Sequence, residues 1–140
     1  MQTYLSKIIL LLLVLLFSYS CREEIIPPDN LVENVNDPVQ LKDRNSYILL
    51  LNANNFTMDL TIPAYFTSIR TRFNIKLVDY KSGYTSVTIQ DYNSTERFRY
   101  FIAEDVFYYS ELLDGYVPDK IKIRTSNFSG KVKIEFRRTL

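Results

Sequence analysis

The sequence predicts an all-β domain, an antiparallel β-sandwich of about seven short strands. From residue 46 onward, apolar and polar residues alternate in several short segments, as in strands that bury one face. These segments are rich in β-branched and aromatic residues, which favour strands. A βαβ architecture would need helices that the chain does not supply. An immunoglobulin-like sandwich is preferred on size, and a jelly roll is the alternative.

Seven segments are predicted as strands: 47–51, 57–62, 72–80, 84–91, 97–103, 120–125 and 131–136. Pro63 ends the second, because proline cannot donate to the ladder. Lys81-Ser82-Gly83 predicts a turn, so the third and fourth segments are expected to form a hairpin. Residues 126–130 predict a second hairpin between the last two segments. Ser110 to Gly115 predicts one helical turn closed by glycine. Residues expected to face the core include Phe73, Ile75, Leu77, Val87, Ile89, Ile121, Ile123, Val132, Ile134 and Phe136.

The first residues have the composition of a secretion signal. Lys7 is the only charge before Arg22, and Ile8 to Phe17 is an unbroken apolar run. A positive start, an apolar stretch of this length and small residues before a cleavage point define such a signal. A membrane-spanning helix would need about 20 apolar residues. The predicted organisation is a signal peptide over 1–20, a Pro-containing tether over 21–38 and a β-sandwich domain over 39–140.

Ser18-Tyr19-Ser20-Cys21 resembles the lipobox of bacterial lipoproteins, in which the cysteine becomes the lipidated first residue of the mature chain. Ser20 fits this pattern, whereas Ser18 stands where such families usually carry Leu. Arg22-Glu23-Glu24 resembles the export signal of Bacteroidetes-type surface lipoproteins. The resemblance covers this segment alone. It implies lipidation of Cys21 and a location on the outer face of the outer membrane. The alternative is an ordinary signal peptide in which Cys21 has no role.

The residue types that the chain lacks exclude most catalytic and metal chemistry. It contains no His and no Trp, and Cys21 is its single cysteine. Ser-His-Asp and Cys-His nucleophile systems need His, and zinc sites use His or Cys. The formal net charge of +1 is not that of a basic nucleic-acid-binding protein. We therefore predict no enzyme activity, no metal, no cofactor and no nucleic-acid partner; carboxylate-based hydrolysis is the least favoured possibility.

Two groups of side chains are candidate binding residues. The predicted terminal hairpin sets cations on its outer face, suited to an anionic polysaccharide or acidic lipid: Lys120, Lys122, Arg124, Lys131 and Lys133. The alternative is a solvated face on which Lys prevents edge pairing. Tyr108 and Tyr109, in a predicted irregular loop over 104–115, and Tyr116 just after it could form a sugar-stacking or protein-binding surface. The alternative is that this loop caps the core.

The predicted function is therefore a non-enzymatic, lipid-anchored surface module that binds a glycan or a partner protein. The alternative is a structural accessory subunit of an outer-membrane or pilus-like assembly. Both hypotheses place the membrane as a partner through Cys21.

Overall fold

The computed structural model describes residues 34–139, and all of their regular structure is β. The strands are β1 (Val39–Asp43), β2 (Ser46–Pro63), β3 (Arg70–Gln90), β4 (Glu96–Ile102), β5 (Val106–Asp114) and β6 (Lys120–Arg138). The strands pair antiparallel throughout, so the predicted all-β antiparallel class is confirmed. The predicted signal peptide, Cys21 and most of the predicted tether lie outside the described residues. Residues 34–139 include no helix long and apolar enough to cross a membrane.

Three long strands form the centre of one six-stranded sheet. The strand order is β1-β2-β6-β3-β4, and β5 pairs with β3 as well. β5 pairs with residues 70–77 of β3, and β4 pairs with residues 85–90 of the same edge. The sheet thus has two halves that share β2, β6 and β3. The first half carries β1 and β5, and the second half carries β4.

The two halves meet where all three long strands are irregular. Register shifts fall at residues 53–58 of β2, 78–84 of β3 and 126–130 of β6; we call these residues the bend line. Positive φ angles cluster here, at Asn55, Asp79, Gly83, Asn127 and Gly130. Bulges bend a strand and increase its twist. The sheet therefore folds along the bend line and turns one half towards the other.

The core lies between the two halves. The ring of Phe73, in the first half, is 5.1 Å from Phe98 and 5.6 Å from Tyr100, both in the second half (centroid distances). Phe73 is fully buried. The residues predicted to face the core are all buried: Phe73, Ile75, Leu77, Val87, Ile89, Ile121, Ile123, Val132, Ile134 and Phe136. The two-residue alternation read from the sequence is thus confirmed.

Both predicted hairpins are wrong, and the strands are fewer and longer than expected. Residues 81–83 and 126–130 lie inside β3 and β6, because glycine and asparagine at positive φ serve a bulge as well as a turn. The first two predicted segments likewise both lie in β2, so the seven segments merge into four strands: β2, β3, β4 and β6. β1 and β5 complete the six strands of the described residues, and neither was predicted; β5 occupies the predicted irregular loop. The finer assignments, immunoglobulin-like or jelly roll, stay predictions.

The helical turn predicted at Ser110–Gly115 is also wrong. Ser110 to Asp114 complete β5. Their backbone pairs with β3, with Leu112 opposite Arg72, so the sheet satisfies the hydrogen bonds that a helical turn would have made. Gly115 lies just after the strand at φ 88°.

Candidate functional site

The outer face of the second half carries three rows of side chains that cross β2, β6, β3 and β4. The middle row is Thr61, Lys122, Thr88 and Arg99. On one side lie Asp59, Arg124, Ser86 and Phe101, and on the other Pro63, Lys120, Gln90 and Glu96. Successive residues of a strand point to opposite faces. These rows therefore face away from the core, which receives Ile121 and Ile123 from the same strand.

A groove of about 440 Å³ crosses this face. It is lined by Tyr84, Ser86, Thr88, Gln90, Glu96, Arg99, Phe101, Lys122 and Arg124, and we call it the outer-face groove. The Tyr84 and Phe101 rings are 5.1 Å apart and inclined by 32°. Phe101 is 60% exposed. The groove thus combines an open aromatic surface with hydroxyl, amide and charged groups, the mixture that fixes and orients a polar ligand.

Three cations line the outer-face groove, and two of them contact carboxylates. Arg124 Nε is 2.8 Å from Asp59 Oδ2, and Arg99 Nη2 is 2.5 Å from Glu96 Oε2. Lys122 makes no ion pair with any residue between 34 and 139. Its register neighbours are the neutral Thr61 and Thr88. The uncompensated positive charge of the groove therefore resides on Lys122.

Asp91 fixes the loop that leads from β3 into β4. Its Oδ1 accepts hydrogen bonds from the backbone N–H of Asn93 and Thr95 at 2.9 and 3.0 Å. Its Oδ2 accepts one from Arg97 Nε at 2.6 Å, and this bond holds the pKa of Asp91 below its ordinary value. Asp91 is buried. The loop is thereby tied to the start of β4, the strand that brings Glu96, Arg99 and Phe101 to the groove.

The predicted cationic patch is divided between the two halves of the sheet. Lys122 and Arg124 line the outer-face groove, whereas Lys131 and Lys133 lie beyond the bend line, because β6 runs on instead of turning back. Lys131 Nζ is 2.9 Å from Asp79 Oδ2. Lys133 is buried, 3.9 Å from Glu135 Oε2, and desolvation lowers the pKa of Lys133. The prediction of one five-cation surface is therefore wrong.

The three candidate tyrosines do not form one platform. Tyr108 and Tyr109 are consecutive residues of β5 and face opposite sides. Tyr108 donates a hydrogen bond to Asn74 Oδ1 at 3.2 Å on the outer side. Tyr109 stacks on Tyr100, with centroids 4.4 Å apart, and donates to Glu111, which raises the pKa of Tyr109 to about 12. Tyr116 is half-buried against the core, and burial raises its pKa to about 12.

Tyr84, Phe101 and Arg99 were not predicted as site residues. The available signal was the alternation in segment 97–103, which places Phe101 on the face opposite Phe98, Tyr100 and Ile102. Phe101 therefore falls on the outer face. A single exposed aromatic side chain is ordinary, so this position alone does not indicate a site. Its pairing with Tyr84 depends on the register of β3 and β4, which the sequence does not display.

A second depression, of about 560 Å³, lies at the bend line. Several of its polar groups already have partners: Ser129 Oγ accepts a hydrogen bond from the backbone N–H of Asn55 at 2.8 Å, and Asp79 is paired with Lys131. Among residues 34–139, no three His, Cys, Asp or Glu side chains form a group that could hold a metal ion.

Comparison with known proteins assigns no family to this chain. No protein-family profile matches it, and no curated protein matches it. Among solved structures, it is similar to a variant of the carbohydrate-binding module CBM29-2 complexed with cellulohexaose (TM-score 0.40, 14% identity, covering 71% of this chain and 74% of that one).

Two further structures are similar to this chain. One is an RmlC-like cupin protein from Desulfovibrio desulfuricans (TM-score 0.36, 13% identity, covering 77% of this chain and 92% of that one). The other contains accessory secretory proteins 1, 2 and 3 of Streptococcus pneumoniae (TM-score 0.36, 8% identity, covering 74% and 86%). Similarity at these TM-scores carries no argument about function, so a functional assignment depends on the residues of the groove.

Proposed function

We propose that this protein is a non-enzymatic carbohydrate-binding module that takes up an oligosaccharide in the outer-face groove. The observation that carries the proposal is the exposed Tyr84–Phe101 pair, which lies beside a lattice of polar side chains. The apolar C–H face of a sugar ring stacks on an aromatic ring, while its hydroxyls bond to polar groups nearby. Aromatic side chains offer such contact area at low conformational cost.

The polar residues of the outer-face groove suit a ligand rich in hydroxyl groups. Ser86, Thr88 and Gln90 occupy successive outward positions of β3, and each side chain both donates and accepts hydrogen bonds. A strand holds these groups at a repeat of about 6.8 Å. Because the lattice belongs to four paired strands, the groove is formed before ligand arrives, and little ordering entropy opposes binding.

The groove accommodates more than one sugar unit. Phe101 lies two strands and one two-residue repeat away from Lys122, which places their Cα atoms about 12 Å apart on standard strand spacings. A ligand that contacts both side chains is therefore longer than a single ring. An extended oligosaccharide fits this span.

The carboxylate content of the outer-face groove favours binding over hydrolysis. Most glycosidases use two facing carboxyl groups, one on each side of the scissile bond. Within residues 34–139, Glu96 is the sole carboxylate that lines the groove, and Arg99 already holds it in an ion pair. A glycan in this groove would therefore be bound without being cleaved.

The proposal is tested by removing the aromatic pair. We expect Phe101→Ala, and separately Tyr84→Ala, to weaken glycan binding about tenfold, equivalent to about 1.4 kcal/mol. A glycan array on the purified protein identifies the ligand, and titration calorimetry measures its affinity. Phe107→Ala is the matched control, since Phe107 is also exposed but lies over Lys76, outside the groove. Unchanged affinity in both groove variants, or no binding to any glycan, would contradict the proposal.

We also propose that a lipid on Cys21 anchors this module to the outer face of a bacterial outer membrane. The support is the signal-like segment and the lipobox-like residues before Cys21. Stable anchoring needs two or more acyl chains. The lipidated cysteine of a bacterial lipoprotein carries that number of chains. Mass spectrometry of the protein from membranes should find an acylated N-terminal Cys21, and Cys21→Ser should abolish acylation and release the chain from the membrane. An unmodified Cys21 in the membrane fraction would refute the anchor while leaving the glycan site untouched.

A further inference from the structure

We propose that the outer-face groove selects acidic sugars and that Lys122 is the residue that determines this selectivity. The inference rests on the proposed carbohydrate-binding function and names the class of glycan. It is carried by the contrast between Lys122 and the two arginines that share the groove.

Lys122 occupies the centre of the four-stranded face. It lies on β6 between Thr61 of β2 and Thr88 of β3, so its immediate cross-strand neighbours are hydroxyls. No carboxylate within residues 34–139 contacts it. A carboxylate or sulfate on a bound sugar would meet an ammonium group together with hydroxyl donors, and such charge-assisted hydrogen bonds are stronger than neutral ones.

The other cations of this face are already engaged. Arg124 contacts Asp59 and Arg99 contacts Glu96. These carboxylates offset the attraction of the arginines for an anion, so the arginines contribute less than Lys122 to selecting a charged ligand. Lys120, the preceding outward residue of β6, lies 3.8 Å from Asp119. Among the described residues of this face, the positive charge available to select an anionic ligand is therefore that of Lys122.

A single uncompensated cation favours an acidic sugar over a nucleic acid. Nucleic-acid binding depends on several Lys or Arg contacts to successive phosphates, and its affinity falls steeply with salt. The formal net charge of the chain is only +1. One ammonium group beside an aromatic pair suits a polymer with spaced acidic groups. The acidic unit would be distinct from the unit that stacks on Phe101, because the two side chains are about 12 Å apart.

The experiment compares the same polysaccharides with and without their charge. Polygalacturonate, alginate and chondroitin are each presented to the purified protein as the free acid and as the methyl ester. We expect at least one acid to bind about tenfold more tightly than its ester, an advantage that decreases as salt rises. Chondroitin sulfate, compared with unsulfated chondroitin, distinguishes a sulfate from a carboxylate as the selected group.

Variants of Lys122 and Lys120 test which residue causes the preference for the acid over the ester. The readout is the ratio of acid affinity to ester affinity: Lys122→Ala should bring this ratio close to one, and Lys122→Arg should keep the wild-type ratio. Lys120→Ala is the matched control, because Lys120 lies on the same strand and face but is paired with Asp119; its preference should equal that of the wild type. A preference that survives in Lys122→Ala would overturn the assignment.

The remaining outcomes separate the two proposals. Equal binding of acids and esters overturns the selectivity for acidic sugars but leaves carbohydrate binding standing. Absence of binding to every glycan overturns carbohydrate binding itself, and the selectivity with it. Tighter binding to single-stranded DNA than to any acidic glycan would identify the groove as an anion site of another kind and overturn the selectivity for acidic sugars.

Discussion

Phe73→Ala is expected to lower the free energy of unfolding by about 3–5 kcal/mol, the usual cost of removing a buried phenylalanine ring. The Phe73 side chain is fully buried. Its ring contacts four others: Phe98 and Tyr100 of β4 at 5.1 and 5.6 Å, Tyr109 of β5 at 6.2 Å and Phe136 of β6 at 5.2 Å (centroid distances). Such a loss is a large fraction of a typical domain's stability of about 5–15 kcal/mol.

The effect should be large because Phe73 connects the two halves of the sheet. β4 belongs to the second half and β5 to the first, and the two strands share no pairing with each other. Removing the ring leaves a cavity between layers that the flanking strands cannot close without moving the backbone. Guanidinium titration of the purified protein, followed by circular dichroism, measures the change.

Phe107→Ala is the control for this prediction. Phe107 has the same ring but is 81% exposed, and substitutions at such positions usually change stability by less than about 0.5 kcal/mol. Phe73→Leu, which keeps most of the apolar volume, should fall between the two. If Phe73→Ala and Phe107→Ala were equally mild, the two halves would not pack through Phe73, and the core described between them would be wrong.

The sequence predicts on which face of a strand each residue lies better than it predicts where the chain turns. Alternation repeats every two residues, so a short segment such as 72–80 shows by itself that Phe73, Ile75 and Leu77 share a face. Whether the chain turns or continues after Lys81-Ser82-Gly83 is not a local property. Glycine at positive φ fits a hairpin turn and a bulge equally well, and the partner strand β6 lies about forty residues further on. The sequence therefore predicted hairpins where the structure has long bent strands.

The same distinction applies to the candidate site. Lys122 and Arg124 were predicted to face outward because they alternate with Ile121 and Ile123, and both line the outer-face groove. Which cation stays unpaired could not be predicted, since the partner of Arg124 is Asp59, 65 residues away. The aromatic pair likewise joins two strands whose register is set by tertiary pairing. The face of the strand on which a residue lies follows from the local alternation of the sequence. The side chains that lie next to it on neighbouring strands depend on how the whole sheet pairs.

Gly83→Ala tests the bend line directly, and we expect it to be far more destabilising than Gly115→Ala. Both glycines have positive φ, 76° and 88°, a conformation that costs other residues about 1–2 kcal/mol. A Cβ on Gly83 would lie 2.3 Å from the backbone oxygens of Ser126 and Asn127, whereas one on Gly115 would meet nothing within 4 Å. The overlap should add about 1–3 kcal/mol, because backbone of β6 must move to relieve it.

The two variants also test whether residues 81–83 form a bulge within β3 or a hairpin turn. Gly83 precedes Tyr84, so a shifted bulge should displace the Tyr84 ring and weaken glycan binding, whereas Gly115→Ala should leave binding unchanged. Thermal unfolding and calorimetric titration of both variants supply the two measurements. Equal destabilisation by the two substitutions would mean that residue 83 does not touch β6. The chain would then turn at residues 81–83, as its local pattern predicts, and the groove, which needs β3 to continue into the second half, would not form.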